Sequence, residues 1–171
     1  MNHHSPAVTL TSRRPLRLAA LGLLALIGFV LLHPISGSAA RTATGPTVST
    51  ASTSLGHVLV DVRGRTLYLF DNDKNGKSSC TGKCATFWPP LIATAKPHAG
   101  TGAKASLLGT TKRADGRLQV TYNHHPLYTF VKDTKKGQTN GENVVAFGAE
   151  WYAVSPAGAE VQKSMSSGGG Y

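Results

Sequence analysis

The chain lacks the short signatures on which most predictions of catalysis depend. It contains no Gly-x-Ser-x-Gly segment, so a nucleophilic serine elbow is absent. The stretch Gly76-Lys77-Ser78 has the ending of a phosphate-binding loop, but Asp71 stands where the earlier glycine is needed. We therefore predict that the protein is not an enzyme and does not bind nucleotides.

Cysteine is scarce, because Cys80 and Cys84 are the only two in the chain. No cysteine lies near the N-terminal apolar segment, which argues against a lipid anchor attached there. The spacing is not Cys-x-x-Cys, and no histidine follows Cys84 as c-type haem attachment requires. In an oxidising compartment we expect Cys80 and Cys84 to form a disulfide. A redox-active pair is the alternative, since Lys83 beside Cys84 could favour a thiolate.

One long apolar run occurs near the N-terminus, from Leu18 to Leu32. As a helix it would measure roughly 22 Å, shorter than the roughly 30 Å hydrocarbon core of a membrane. Three arginines precede the run, and the small residues Ser38-Ala39-Ala40 follow it. This pattern is typical of a secretory signal peptide, so we predict Sec export and cleavage after Ala40. An uncleaved membrane anchor is the alternative.

Acidic residues are few. Removal of residues 1–40 leaves 15 basic residues against 8 acidic ones, a net charge of +7. The basic residues are scattered rather than clustered with stacking aromatic residues, which argues against a nucleic-acid partner. Outside the membrane, such a charge favours an anionic envelope polymer, lipid headgroups or another envelope protein as partner. The alternative is that the cations only solvate the surface and protect sheet edges.

Composition divides the exported chain into three parts. Residues 41–54 are rich in Ser, Thr and Ala and predict a flexible linker. Residues 55–156 carry the hydrophobic pattern and are long enough for one small domain. Residues 157–171 lead into a Gly/Ser-rich stretch and predict a disordered tail.

A repeated segment is the most informative feature that is present. Leu67–Asp73 and Leu127–Asp133 both read Leu-Tyr-x-Phe-x-x-Asp. Each copy is followed by a glycine-bearing polar stretch and then by a tryptophan, at Trp88 and Trp151. The similarity therefore extends over a whole structural unit, and the domain is predicted to consist of two related units.

The pattern within both units is that of β-strands. Alternating apolar residues separated by Gly, Asn and Asp turns predict hairpins in repeat 1, about residues 56–95, and in repeat 2, about residues 107–156. Sustained helical periodicity is missing after the signal segment, apart from a short helical turn near residues 84–88. The sequence predicts an all-β fold: a single small domain of two related antiparallel β units with pseudo-repeat symmetry.

These residues resemble the bacterial secreted repeat found in predicted lipoproteins, a family with a Tyr-x-(Phe/Trp/Tyr)-x-x-Asp motif. The first copy contains Gly64-x-x-Leu67-Tyr68-x-Phe70-x-x-Asp73, Ser79-Cys80-x-Gly82-x-Cys84-Ala85 and Trp88-Pro89-Pro90-Leu91. The second contains Arg113-x-Asp115-Gly116, Val120-Thr121-Tyr122-Asn123, Pro126-Leu127-Tyr128-x-Phe130-x-x-Asp133, Gly137 and Trp151-Tyr152. The resemblance implies a secreted protein with two tandem copies of a repeat of unknown function. The lipobox cysteine of the lipoprotein members is missing, and His124-His125 replaces a glycine and a variable residue.

Strand periodicity suggests what the motif does. Alternate residues of a strand point to one face, so the motif tyrosine and phenylalanine of each copy are core candidates. The aspartate falls just after the strand, where a carboxylate can accept backbone hydrogen bonds and fix a turn. We predict a structural or ligand-binding role for the motif residues Tyr68, Phe70, Asp73, Tyr128, Phe130, Asp133, Trp88 and Trp151.

Two segments carry metal-ligand residue types. Asp71, Asp73 and Asn75 place oxygen donors at alternate positions, as in the first half of a calcium loop, but Gly82 stands where the bidentate glutamate belongs. The adjacent His124 and His125 can bind one transition metal only if a turn brings them together. We predict no cofactor, with calcium or a transition metal as the alternative.

Two classes of function follow from these observations. The leading hypothesis is a monomeric, non-enzymatic protein of the cell envelope or extracellular space, with a binding or structural role. The alternative is a small extracytoplasmic redox or metal-handling protein that uses Cys80, Cys84, His124 and His125.

Overall fold

A computed structural model describes residues 44–161 of the chain. The predicted signal peptide or membrane anchor, and residues 162–171 of the predicted tail, lie outside this range. Within it, no helix is long and apolar enough to cross a membrane.

Short strands dominate the described part of the chain, which confirms the all-β prediction. The one α-helix within residues 44–161 falls at the expected helical turn near residues 84–88. In chain order the elements are β1 Thr47–Thr53, β2 Gly56–Val60, β3 Tyr68–Phe70, α1 Lys83–Phe87, β4 His98–Ala99, a 3₁₀ turn Ala105–Leu107, β5 Leu108–Lys112, β6 Leu118–Tyr122, β7 His125–Pro126, β8 Val144–Ala146 and β9 Ala149–Ala153.

Three small sheets contain these strands, with the orders β2-β1-β4, β3-β9-β8 and β5-β6-β7. The hairpin β1–β2 of the first unit corresponds to the hairpin β5–β6 of the second, because both are antiparallel pairs in which Thr50 faces Leu59 and Thr110 faces Val120. The two units therefore share strand pairing as well as sequence.

The structure differs from the predicted flexible linker over residues 41–54, because β1 spans Thr47–Thr53. Residues 49–53 of this strand pair with β2, and Thr47 and Val48 pair with β4 on its other side. The segment is polar, yet threonine suits the pleated backbone, and Val48 is fully buried. A strand between two neighbours needs few apolar side chains because its backbone hydrogen bonds are satisfied on both edges.

The predicted boundary between the domain and the C-terminal tail, at residue 156, is also wrong. Val161 donates a backbone hydrogen bond to Ala153, and Ser155 donates one to Ala159. The folded part therefore continues from residue 156, where the domain was predicted to end, to Val161.

Two hydrophobic cores lie on opposite faces of the central strands, so the Leu-Tyr-x-Phe motif contributes to both. Tyr68 and Phe70 enter one core, whereas Leu67 and Leu69 enter the other. Strand β2 divides its side chains in the same way, which explains why Val58, Leu59 and Val60 are all buried. Strands covered on both faces carry near-continuous apolar runs rather than strict alternation.

The two units are intertwined at the motif tyrosines. Tyr68 donates its backbone N–H to the carbonyl of Tyr128 at 2.8 Å, and Tyr128 returns the bond to Tyr68 at 3.0 Å. Around this reciprocal pair, β3 of repeat 1 pairs with β9 of repeat 2, so that Phe70 faces Trp151.

The counterpart of β3 in repeat 2 is not a regular strand. It is a segment around Tyr128 that forms bridges to Tyr68 and Pro90. Leu91 donates to the carbonyl of Leu127, and Thr129 donates to that of Pro89, both at 2.9 Å. Each tyrosine segment is therefore paired with the tryptophan segment of the other repeat.

We expect Val48→Ala to lower the free energy of unfolding by about 2 kcal/mol, because it removes buried methyl groups and leaves a cavity. The control Ser52→Ala, at an exposed position of the same strand, should change it by less than about 0.5 kcal/mol. Denaturant titration of both variants measures the difference. Equal, negligible effects would mean that this segment behaves as a spacer.

Candidate functional site

Four aromatic rings form a continuous stack through the centre of one core. The ring centroids of Phe70 and Trp151 are 4.1 Å apart, those of Trp151 and Trp88 are 3.9 Å apart, and those of Trp88 and Phe130 are 4.1 Å apart. The order alternates between the repeats, since each phenylalanine stacks on the tryptophan of the other repeat. Stacked aromatic pairs stabilise a fold beyond the area they bury, so this column ties the units together.

The motif tyrosines stand edge-on to this column, and each reaches an aspartate of the opposite repeat. Tyr68 Oη donates to Asp133 Oδ2 at 2.5 Å, and Tyr128 Oη donates to Asp73 Oδ2 at 2.6 Å. We call these two hydrogen bonds the Tyr–Asp exchange. Sequence proximity would pair each tyrosine with the aspartate five positions later, whereas the structure exchanges the partners.

Each aspartate also fixes the turn that follows it, as its sequence position predicts. Asp73 Oδ1 accepts hydrogen bonds from the backbone N–H and the hydroxyl of Ser79, at 2.7 and 2.8 Å. Asp133 Oδ1 accepts bonds from the backbone and side-chain nitrogens of Asn140, at 2.9 and 3.1 Å. One carboxylate oxygen thus organises its own repeat while the other binds the partner repeat.

Burial raises the pKa of both tyrosine hydroxyls well above the ordinary value, and the neighbouring carboxylates raise it further. Both hydroxyls therefore stay protonated and act as hydrogen-bond donors. Burial also raises the pKa of Asp73, although hydrogen bonds from Ser79 and Tyr128 oppose the shift. Since Tyr68 and Tyr128 are fully buried, this arrangement is suited to holding the two repeats together rather than to meeting a substrate.

Arg113 extends the exchange on the side of repeat 1. Its buried guanidinium donates to Ser78 Oγ at 2.6 Å, to Gln119 Oε1 at 2.5 Å and to the carbonyl of Cys80 at 2.6 Å. Ser78 Oγ forms a 2.7 Å hydrogen bond with Tyr128 Oη. Sequence reasoning did not single out Arg113 or Gln119 as site residues, although Arg113 belongs to the family motif quoted above.

The two cysteines form the predicted disulfide, which closes the loop before and within α1. Cys80 is 1% exposed and Cys84 is 6% exposed. The bridge packs against the aromatic core, and the Cys80 carbonyl receives the Arg113 guanidinium. Its surroundings are those of a structural bridge that positions the loop beneath Arg113.

The calcium-like segment forms a tight hairpin turn. Lys77 donates its N–H to the carbonyl of Lys74 at 2.9 Å, and Asn75 and Gly76 both have positive φ, at 53° and 69°. Asn-Gly is the preferred pair for such a left-handed turn. Asp73 already accepts protein hydrogen bonds on both oxygens, so turn geometry accounts for this residue pattern.

The histidine pair lies in a second left-handed turn, between β6 and β7. Asn123 and His124 have φ values of 47° and 66°. His124 is exposed and His125 is half-buried; burial, followed by the neighbouring His124, lowers the pKa of His125. Among residues 44–161, no three His, Cys, Asp or Glu side chains are grouped as a metal site would require.

A basic surface is formed where a turn of one repeat meets a turn of the other. Thr66 Oγ1 donates to the carbonyl of Gln138 at 2.7 Å. The stem of Lys136 lies against Gly64, where a Cβ would come within 2.9 Å of Lys136 Cγ. This contact brings Arg63 of the first turn beside Lys135 and Lys136 of the second, and we call these three exposed cations the basic patch.

Comparison with known proteins identifies the repeat. A family model described as a secreted repeat of unknown function matches residues 49–92 and 109–155. No curated protein and no solved structure matches the chain. The first matched region begins at residue 49, inside β1. The family match therefore includes part of the segment that composition alone assigned to a flexible linker.

We expect Tyr68→Phe and Tyr128→Phe each to lower the free energy of unfolding by about 1–3 kcal/mol, because Asp133 or the half-buried Asp73 loses its hydroxyl donor. Tyr152→Phe is the matched control, since that hydroxyl binds Glu150 at the surface. It should change stability by less than about 0.5 kcal/mol. Chemical denaturation of the three variants tests this, and equal effects would contradict the importance of the exchange.

The raised pKa of Asp73 predicts a pH dependence with a definite sign. The folded state binds this proton more tightly than the unfolded state does. The stabilisation is therefore complete below the unfolded pKa and is lost as the pH rises through the higher folded pKa. The wild type should accordingly lose stability relative to Asp73→Asn as the pH rises from about 3 to about 7. Denaturant titrations across this range would give the opposite trend if the folded pKa were lowered.

Proposed function

Because the chain belongs to the family of secreted repeats of unknown function, we propose that it is a non-enzymatic, extracytoplasmic binding protein whose basic patch binds an anionic polymer of the cell envelope. The observation that carries this proposal is the separation of charge between interior and surface. Family membership supports export, and the binding role rests on the surface.

Several carboxylates are directed inward and serve the fold. Asp61 is buried and accepts hydrogen bonds from the backbone of Arg63 and from the Arg65 backbone and guanidinium. Asp73 and Asp133 are bound in the Tyr–Asp exchange. Glu142 accepts the backbone N–H of Ala153 at 2.7 Å. These four carboxylates are already bound by groups of the fold, which leaves few anions to pair with the surface cations.

The cations of the basic patch are differently placed. Within residues 44–161, neither Lys135 nor Lys136 has a carboxylate at ion-pair distance, and neither does Arg63. The turn that presents the lysines is nevertheless fixed, since Lys135 donates its N–H to Gln138 Oε1 at 2.8 Å. A held turn with unpaired cations suits a ligand that carries closely repeated phosphate or carboxylate groups.

The redox and metal-handling alternative receives less support. Both cysteines are buried, and a redox partner could not reach the sulfurs without opening the loop. The histidine turn offers two side chains, of which one is half-buried with a lowered pKa. Neither observation favours a reaction over a structural role.

We expect Lys135→Gln with Lys136→Gln to weaken binding to long-chain polyphosphate and to isolated envelopes by roughly tenfold. The salt dependence of binding should decrease, because two cations no longer release counterions. The control is Lys83→Gln with Lys104→Gln, which removes the same charge from exposed positions outside the patch. Fluorescence anisotropy against polyphosphate and co-sedimentation with envelopes measure both variants.

Two outcomes would contradict the proposal. Equal losses in the patch and control variants would show that net charge, rather than this surface, controls binding. Binding that is unaffected by salt would show that the contact is not electrostatic.

A further inference from the structure

Strand β5 lies at the edge of its sheet, whereas its counterpart β1 has a neighbour on each side. This is the clearest difference between two otherwise matching hairpins. An uncovered edge presents backbone donors and acceptors that can pair with another extended chain.

The hydrogen bonds of β6 show which groups of β5 point outward. Val120 donates its N–H to the carbonyl of Leu91, away from β5. Thr110 faces Val120 in the antiparallel register, so the backbone groups of Thr110 must also point away from β6. By the alternation of a strand, the backbone groups of Lys112 and the carbonyl of Leu108 point to the same outer edge, whereas the N–H of Leu108 is bonded to the carbonyl of Ala105.

The equivalent edge of repeat 1 shows what covers such a strand. Thr50 donates to the carbonyl of Thr101 at 2.8 Å, and Gly100 donates to the carbonyl of Val48 at 2.7 Å. This extended segment runs parallel to β1 through β4. Thr110 and Leu108 are the counterparts of Thr50 and Val48 in the second repeat. The N–H of Thr110 and the carbonyl of Leu108 have no backbone partner within residues 44–161.

A cavity of about 770 Å³ adjoins β5. It is lined by Leu108, Gly109 and Thr110 of β5, by Leu118 of β6 and by residues 93–99. The volume is within the range of sites that hold ligands, roughly 300–1,000 Å³. Leu118, which also lines the cavity, is 46% exposed and offers an apolar surface for alternate side chains of an added strand.

The charges around the cavity indicate which kind of ligand would bind there. Lys96 and His98 line the cavity, no Asp or Glu does, and the exposed Lys112 follows on the same strand edge. A second copy of this basic chain, at +7 after removal of residues 1–40, would be repelled. An extended segment rich in glutamate or aspartate is complementary to the site.

We infer that the outer edge of β5 binds an extended acidic segment of another protein, which adds to the sheet as a fourth strand in the position that β4 occupies beside β1. Main-chain hydrogen bonds to Leu108 and Thr110 provide affinity, and the cavity side chains provide specificity. This site goes beyond the polymer-binding function and lies on a different set of residues.

The first test uses Thr110→Pro, which removes the outward N–H and leaves the hydrogen bonds between β5 and β6 in place. The probe is a short acetylated peptide that alternates glutamate and valine, and its lysine–valine counterpart is the control peptide. We expect the acidic peptide to slow amide hydrogen exchange at Thr110, and the substitution to weaken its binding about tenfold. Unchanged exchange at Thr110, or equal binding of the lysine peptide, would overturn the inference.

A second pair of variants keeps the test decisive if the proline disturbs folding. Lys96→Gln with Lys112→Gln should weaken the acidic peptide about tenfold, whereas Lys135→Gln with Lys136→Gln should not affect it. Amide protection at Gln119 and Thr121 of β6 reports whether each variant retains the hairpin. Equal losses in the two lysine pairs would overturn the inference, and so would no loss in either.

Two further results would replace the partner protein with another occupant. The Thr110 amide could already be protected in the free exported chain and become exposed in a chain that ends at Val161. Residues 162–171 would then cover the edge. Protection that rises with protein concentration, together with dimer formation, would assign the edge to a second copy.

Discussion

The fold depends on the reciprocal backbone pair between Tyr68 and Tyr128. Because each tyrosine belongs to a different repeat, this pair places the two motif segments side by side and directs each hydroxyl across the boundary. The tryptophans then meet at the centre of the aromatic column. Without this pair, each aspartate would still fix its own turn, but the buried Asp133 and the half-buried Asp73 would lack their tyrosine donors.

The same architecture determines the electrostatics of the surface. A small domain with two cores on either side of its central strands has little room for buried charge, so the buried carboxylates must be fully hydrogen-bonded. Asp61 and Asp133 are buried and bonded in that way. The lysines of residues 44–161 are all exposed to solvent. The positive exterior is thus partly a consequence of how the interior is built.

Much of the fold could be predicted from sequence, because the repeat and the alternation of apolar residues are local patterns. The buried tyrosines, phenylalanines and tryptophans were accessible in this way. Strand β1 was not, because Thr47–Thr53 has the composition of a spacer and gains its order from neighbours on both edges. The exchange of aspartates could not be predicted either. Asp73 is close to Tyr68 in the chain, and only the three-dimensional pairing shows that it binds Tyr128. Arg113 was missed for the same reason, since its partners are distant in sequence.

The interlocking of the repeats also determines the smallest polypeptide that could adopt this structure. A chain with one copy of the motif would contain a tyrosine segment without its tryptophan segment and an aspartate without its tyrosine. Two such chains would have to associate in order to fold, so the folded fraction would depend on protein concentration. Covalent tandem linkage makes the association intramolecular, at an effective concentration of roughly millimolar for a short connection. The peptide between the copies therefore keeps the protein folded at dilutions where separate halves would come apart.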